Sequence, residues 1–354
     1  KIAKHLASQK KNVALLLCDM TAPMMPCICP PSELECDKSL GSIFAAQRIS
    51  VNLIKHNLTT VRNLSVSRKE ANRILDNFQP DLVVGTGGYA SYPVVHEAAK
   101  RGIPTAVHDS NAVPGLTTKR LAKVADRVMV GYEASRAHYQ HPERVVVTGT
   151  PVRGDFFKLD RQQARAALGI TDDRPLVLSY WGSLGAEGMN QHMTEYLRLA
   201  AADGAPFHHI HGAGRDFAAM TKALEGEALP KDLEIREYIY DMPTVMQAAD
   251  LVLCRGGAST LSELTAIGKP AVIVPSPYVT NNHQEKNANV LAQAGGAVVL
   301  LEPVCSGALL YKTTKELLAD APRRERMAKA MADMGIPDAT EKIYETLAEL
   351  AKGE

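Results

Sequence analysis

Short runs of consecutive apolar residues recur along the chain and alternate with longer segments of mixed polarity. Residues 82–84 and 272–274 contain no polar side chain, which is typical of parallel strands that are buried on both faces. Residues 176–180, 207–211 and 233–235 are further predicted strands, and helices are expected after Gly188 and around Phe217. The pattern predicts an α/β protein with helices on both faces of parallel sheets.

An internal repeat of strand, glycine turn, helix and strand supports this prediction. Residues 81–88 lead through a helical segment to residues 102–107, and residues 250–257 lead through another to residues 268–273. Each helix should end at a glycine, because glycine adopts the left-handed conformation and the proline that follows cannot continue the helix. Two doubly wound domains are therefore expected, with a ligand site at the carboxyl ends of their strands in a crevice between them.

Composition agrees with a two-domain globular protein. The chain has 354 residues, of which 45% are hydrophobic and 22% are charged. Its net charge of +1 and its single tryptophan argue against a general nucleic-acid binder. The sequence has no apolar run long enough to span a membrane, and the apolar stretch behind its basic opening residues is too short for a signal peptide. We expect a cytoplasmic protein.

The cysteines give little support for a metal site. Cys27, Cys29 and Cys36 are close in sequence but lack the second ligand pair that a zinc site requires. We therefore predict reduced thiols and no bound metal.

Residues 38–69 are locally basic. They contain six Lys or Arg residues and no Asp or Glu, and Ile54, Leu58 and Val61 follow helical spacing. Such a surface is attracted to anionic lipid headgroups. The same pattern also suits a helix that packs on its own sheet, so both interpretations remain open.

Two glycine turns after predicted strands are candidates for anion binding. In residues 256–263, backbone N–H groups at a helix start could bind a diphosphate, and Glu263 could accept ribose hydroxyls. Alternatively, Thr260 and Glu263 form a capping box that needs no ligand. Residues 181–186 form the second turn, which presents Ser183 or is a plain tight turn. Neither turn has the full dinucleotide fingerprint or a Walker lysine.

Other polar groups follow strands in both halves. The amides of residues 281–287 suit sugar hydroxyls, although this segment could simply cap a helix that begins at Gln284. His108 or Asp109 could act as a base, but such loop residues are often structural. Arg153 could neutralise a phosphate or be merely solvated.

Several motifs together resemble the MurG family of membrane-associated N-acetylglucosaminyltransferases. These are Gly87-Gly88-Tyr89, residues 108–117, 149–153, 250–263, 274–275, 283–284 and 336–341. The resemblance implies a GT-B fold, in which two Rossmann-like doubly wound domains face a central cleft. It also implies an acceptor domain over residues 1–153, a donor domain over 154–335, and a helix over 336–354 that returns to the first domain.

The resemblance implies an inverting transfer of N-acetylglucosamine from UDP-N-acetylglucosamine to undecaprenyl-pyrophosphoryl-N-acetylmuramoyl-pentapeptide. It implies no cofactor or metal, and a peripheral location on the cytoplasmic face of the membrane through residues 38–69. The implied donor-binding residues are Asn111, Arg153, Ser183, Ile239, Ala258, Ser259, Thr260, Leu261, Ser262, Glu263 and Gln284. The implied acceptor-side residues are Gly87, Gly88, Tyr89 and His108.

The chain also departs from the family pattern. We place the start of the resemblance near Asn77, and the family's opening Gly-Gly-Thr-Gly-Gly-His loop is not recognisable, which leaves Asp109 as the candidate base. The family's His-Glu-Gln-Asn is His-Asp-Ser-Asn at residues 108–111, and Trp181 replaces a glycine. Alternatives are a UDP-sugar-binding protein without catalysis, or a related transferase with another lipid acceptor.

Overall fold

The computed structural model describes residues 13–16, 67–182, 186–227 and 229–352. The chain divides into two compact units. Unit 1 comprises Lys1–Gly149 and Asp338–Glu354, and unit 2 comprises Thr150–Pro337.

Unit 1 contains a five-stranded parallel sheet in the order β1-β2-β3-β4-β5. Its strands are β1 (Val13–Leu16), β2 (Leu82–Gly85), β3 (Thr105–Asp109), β4 (Arg127–Val130) and β5 (Val145–Val147). The connecting helices are α1 (Arg68–Phe78), α2 (Ser91–Lys100) and α3 (Leu116–Leu121). The predicted β2 and β3 are confirmed, whereas the sequence pattern did not identify β1, β4 and β5.

Unit 2 contains a six-stranded parallel sheet in the order β11-β10-β9-β6-β7-β8. Its strands are β6 (Leu176–Tyr180), β7 (His208–Gly212), β8 (Leu233–Arg236), β9 (Leu251–Cys254), β10 (Ala271–Ile273) and β11 (Ala297–Val299). Its helices are α4 (Arg161–Ala167), α5 (Glu187–Ala202), α6 (Phe217–Ala223), α7 (Met242–Ala248), α8 (Ala258–Ala266), α9 (His283–Gln293), α10 (Gly307–Ala319) and α11 (Ala321–Met334). The predicted doubly wound architecture is confirmed.

Glycines end the two helices of the repeat as the sequence predicts. Gly102 follows α2 with φ of 71°, and Gly268 follows α8 with φ of 65°. Both angles lie in the left-handed region that other residues avoid, so glycine lets the chain turn directly into the next strand.

The last helix, α12 (Ala339–Lys352), belongs to unit 1. Successive residues of β2 point to opposite faces of the sheet, which explains why the strand is apolar throughout. Val83 packs in the cluster formed with α1 and α2, whereas Leu82 and Val84 pack against α12. The apolar residues that α12 contributes are Ile343, Leu347 and Leu350.

Among the described helices, none combines the length and the apolar composition that crossing a lipid bilayer requires. Most of the basic segment over residues 38–69 lies outside the described residues; the exceptions are Ser67, Arg68 and Lys69 at the start of α1.

Replacing Leu347 by alanine should destabilise unit 1, because the side chain is only 2% exposed and seals one face of the sheet. We expect the free energy of unfolding to fall by about 2–5 kcal/mol, measured by urea denaturation. Glu345→Ala is the matched control, since Glu345 is exposed on the same helix. Equal effects of the two changes would show that α12 does not pack on this sheet.

Candidate functional site

The strand order of unit 2 reverses between β6 and β9. The chain leaves β6 towards β7 on one side and leaves β9 towards β10 on the other. The loops at the carboxyl ends of β6 and β9 therefore diverge, and ligands of doubly wound sheets bind in the crevice that opens there. Both predicted glycine turns follow these two strands.

The turn after β9 leads directly into α8. Gly257 is the N-cap residue of the helix, and as a glycine it provides no side chain to cap the first N–H groups of α8. The predicted capping box is wrong, because Thr260 is already the third residue of the helix and Glu263 lies on its second turn. The N–H groups and the helix dipole at this end are suited to an anion.

Helix α9 holds this turn in place. Asn287 is fully buried, and its Nδ2 donates a hydrogen bond of 3.2 Å to the carbonyl oxygen of Gly256. The backbone of Gln284 lies so close to Gly256 that a Cβ atom there would overlap it. The Gln284 Oε1 atom accepts a bond of 2.9 Å from the backbone N–H of Ser276, so its amide NH₂ is the donor group left for a ligand.

Glu263 is a half-buried carboxylic acid beside the turn. Burial raises its pKa to about 7, and the positive charge of Arg153 opposes this shift. Arg153 lies just before a short 3-10 turn (Gly154–Phe157), with its guanidinium 5.7 Å from the centre of the Phe156 ring. A group that titrates near neutral pH and faces a single cation is a typical feature of a ligand site.

The other predicted residues of α8 have different environments. Leu261 is fully buried in the core, and the Ser262 hydroxyl donates to the carbonyl oxygen of Ala258. Ser259 is exposed on the first turn. Backbone groups, rather than these side chains, are therefore what the helix start offers to an anion.

Ile239 follows β8 and is 5% exposed. Its side chain packs so near Gly212 that a Cβ there would lie 3.1 Å from Cδ1 of Ile239.

The turn after β6 begins with the buried Trp181, whose ring lies 6.0 Å from the guanidinium of Arg255. Ser183 lies outside the described residues.

In unit 1, His108 is held in one tautomer. Its Nε2 lies 2.8 Å from the carbonyl oxygen of Gly149, and burial lowers its pKa. Because a carbonyl oxygen only accepts, the neutral ring donates through Nε2 and keeps its lone pair on Nδ1.

The carboxylate of Asp109 organises the loop that follows β3. It accepts hydrogen bonds from the backbone N–H and Nδ2 of Asn111, at 3.0 and 3.1 Å, and from the N–H of Gly115 at 3.1 Å. Its assignment as the base stays a prediction, and these contacts favour a structural task. Asn111 lies in unit 1, whereas the other described donor residues lie in unit 2.

The glycines after β2 form the second predicted loop of unit 1. Gly87 and Gly88 have φ of 91° and 73°, and they present Tyr89 with 68% of its surface exposed. The hydroxyl of Ser91, at the start of α2, donates to the carbonyl oxygen of Gly88 and fixes this turn.

Within the described residues, no three His, Cys, Asp or Glu side chains are grouped as a metal site would require. Cys27, Cys29 and Cys36 lie outside those residues. Asn287 was not predicted as an individual site residue. A polar amide inside a predicted helix was the available signal.

Two family models match most of the chain. The glycosyltransferase family 28 N-terminal domain matches residues 2–130, and the C-terminal domain of the same family matches residues 177–343. The UDP-N-acetylglucosamine--N-acetylmuramyl-(pentapeptide) pyrophosphoryl-undecaprenol N-acetylglucosamine transferase of Acetivibrio thermocellus is 36% identical, with 100% of this chain and 94% of that protein covered. The enzyme of the same name from Thermoanaerobacter sp. is also 36% identical, over 98% of this chain and 94% of its own length. The chain belongs to the MurG family.

Solved structures agree with this membership and with the GT-B fold. The crystal structure of Acinetobacter baumannii MurG superposes with a TM-score of 0.65 at 28% identity, covering 80% of this chain and 78% of that one. A UDP-GlcNAc 2-epimerase from Neisseria meningitidis shares the fold, with a TM-score of 0.60 at 16% identity over 87% of this chain and 84% of its own. The chain is thus a hexosyltransferase of the MurG family, and the similarity begins at residue 2 rather than near Asn77 as expected.

Gly256→Ala should destabilise unit 2, because the added Cβ overlaps the Gln284 backbone and must displace α9. Gly257→Ala is the matched control, since its Cβ meets no atom within 4 Å and its φ of −69° suits alanine. We expect a fall of several degrees in the melting temperature for the first variant only, measured by thermal denaturation. Similar melting temperatures for both variants would contradict the close packing of α9 on the turn.

Glu263→Gln should stabilise the protein at alkaline pH. The folded protein holds this carboxyl with a pKa of about 7, above the usual 4.5, because burial penalises its charge. The stability that depends on this group is therefore lost as pH rises from 4.5 to 7.

We expect Glu263→Gln to raise the melting temperature by about 2–4 °C at pH 8 and to have a smaller effect at pH 5. Glu325→Gln, at an exposed position of α11, controls for the loss of one charge. A lower melting temperature for Glu263→Gln at pH 8 would show that the carboxylate is stabilised rather than penalised by its surroundings.

Proposed function

We propose that this chain transfers N-acetylglucosamine from UDP-N-acetylglucosamine to undecaprenyl-pyrophosphoryl-N-acetylmuramoyl-pentapeptide in peptidoglycan synthesis. The muramyl 4-hydroxyl attacks the anomeric carbon in one displacement, which inverts the configuration and releases UDP. The names of the curated relatives support the donor and the acceptor. The structural observation that carries the proposal is the uncapped start of α8, with Glu263 beside it, at the switch point of the unit 2 sheet.

Unit 2 binds the donor in this proposal. The diphosphate lies at the start of α8, and Glu263 accepts hydrogen bonds from the two ribose hydroxyls. The backbone of Ile239 pairs with the uracil, and the free amide NH₂ of Gln284 donates to a sugar hydroxyl. Ser183 completes the phosphate contacts. UDP-N-acetylglucosamine is a substrate rather than a cofactor here.

Release of UDP needs stabilisation of the negative charge that develops on its diphosphate. The dipole of α8 and the guanidinium of Arg153 supply positive potential that is already in place before reaction. Because Arg153 also lies near Glu263, one cation acts on both the phosphates and the ribose contact.

Unit 1 binds the acceptor in this proposal. The Gly87-Gly88 turn and the exposed Tyr89 lie in the loop that follows β2, and His108, with its Nδ1 lone pair, lies near the carboxyl end of β3. Residues 38–69 attract the protein to anionic lipids at the cytoplasmic face of the membrane, where the lipid-linked acceptor is found. Asp109 keeps the loop of Asn111 in its conformation and is the candidate for proton removal.

The test is transfer of radiolabelled N-acetylglucosamine from UDP-N-acetylglucosamine to the undecaprenyl-linked acceptor in vesicles, followed by chromatography of the lipid product. We expect transfer by the wild-type chain, and a donor KM raised by about tenfold in Glu263→Gln because one charged hydrogen-bond acceptor is lost.

Two outcomes would favour the alternatives. Tight UDP binding without transfer to any lipid would indicate a UDP-sugar-binding protein. Transfer to diacylglycerol, but not to the undecaprenyl-linked acceptor, would indicate a related lipid glycosyltransferase.

A further inference from the structure

The hydroxyl of Tyr180 is a buried polar group that has no task in the donor site described above. Tyr180 is the last residue of β6 and is 8% exposed. Its hydroxyl oxygen is buried and has no hydrogen-bond partner among the described residues. Buried hydroxyls are nearly always paired in native proteins, so this one calls for an explanation.

Tyr180 lies next to the end of β9, the strand that leads into α8. Tyr180 pairs in register with Cys254 of β9, so the two side chains point to the same face of the sheet. Thr260 and Glu263, three residues apart on α8, lie on one side of that helix, and both are close enough to Tyr180 to affect the pKa of its hydroxyl. The Tyr180 hydroxyl nevertheless forms no hydrogen bond with Thr260.

The surroundings of Glu263 contain few groups that favour its charged form. Arg153 is the cation whose charge lowers its pKa, and it acts against the larger effect of burial. The Cys254 thiol on β9 is buried, which raises its pKa and keeps it neutral. The Tyr180 phenol on β6 also stays protonated, because burial raises its pKa well above 10. Tyr180 is therefore a neutral donor at every pH at which the protein works.

We propose that Tyr180 is a positioning residue for the nucleotide donor: its hydroxyl donates a hydrogen bond to the Glu263 carboxylate when a uridine diphosphate binds. That bond favours the charged carboxylate and fixes its orientation, so that its remaining lone pairs accept the ribose hydroxyls. The inference rests on the proposed function, in which Glu263 is the ribose contact.

The test replaces Tyr180 by phenylalanine, which removes the hydroxyl and keeps the ring. We expect UDP to bind about three- to tenfold more weakly at pH 7 by calorimetry, with the donor KM raised in parallel and kcat changed less than about twofold. Because the pKa of Glu263 should rise further in this variant, the pH below which UDP affinity falls should move upward by about half a unit.

Tyr196→Phe is the matched control. Tyr196 lies on α5 in the same unit, and its hydroxyl is also buried without a formed hydrogen bond. This variant loses the same atom from a tyrosine that does not face Glu263. We expect its UDP affinity and pH profile to match the wild type, and its melting temperature to report the cost of removing a buried hydroxyl.

A second ligand shows whether Tyr180 acts through Glu263. The Tyr180→Phe change should have little effect on the affinity for 2′,3′-dideoxyuridine diphosphate, which lacks both ribose hydroxyls. In a Glu263→Gln background, the same change should cause little further loss of affinity for UDP itself. An equal loss of affinity for both nucleotides, or no loss of affinity for UDP, would overturn the role of Tyr180 while leaving the donor site intact. Failure of the wild-type chain to bind UDP would overturn the donor site and this role together.

Discussion

The candidate site depends on the contact between the Gly256 turn and helix α9. The Gln284 backbone occupies the space of a side chain at Gly256, and Asn287 holds the carbonyl of the same glycine. These two contacts fix the direction in which α8 begins, and with it the N–H groups that face an anion. They also fix Gln284, whose side chain emerges from the same packed backbone. One close approach therefore sets the geometry of the phosphate contacts and the sugar contact at once.

Burial at the same place changes the chemistry of Glu263. An exposed carboxyl would be charged at neutral pH without any cost, and it would also be hydrated. The half-buried position raises its pKa to about 7. The group is therefore prepared for a ligand, but its charge lowers the folding stability of the ligand-free protein. Arg153 and Tyr180 give this carboxylate its two partners, one through charge and one through a hydrogen bond. Ligand affinity and folding stability are thus in opposition at this residue.

The sequence was informative where local physics decides the structure. Consecutive apolar residues identified β2, β6 and β9, and glycine followed by proline located the ends of α2 and α8. Several motifs in a fixed order identified the family, which single turns could not have done. Strands β4 and β5 were missed, although each is a short apolar run with a glycine behind it, Gly131 after β4 and Gly149 after β5.

Side-chain pairing could not be predicted in the same way. The spacing of Thr260 and Glu263 fits a capping box, but the helix begins earlier because Gly256 is packed against α9, a contact between segments distant in sequence. From the sequence alone, Asp109 is as consistent with a catalytic base as with a structural residue. Only its contacts with Asn111 and Gly115 reveal that the loop needs it. The partners of Tyr180 likewise come from another strand and another helix.

The position of α12 has a consequence for synthesis of the protein on the ribosome. The sheet of unit 1 is nearly complete once Gly149 has emerged, but the helix that covers Leu82, Val84, Ala106 and Met129 is translated only after unit 2. All of unit 2 is made in between. Unit 1 therefore stays incomplete while unit 2 is made, and its apolar face needs protection from aggregation until α12 has emerged.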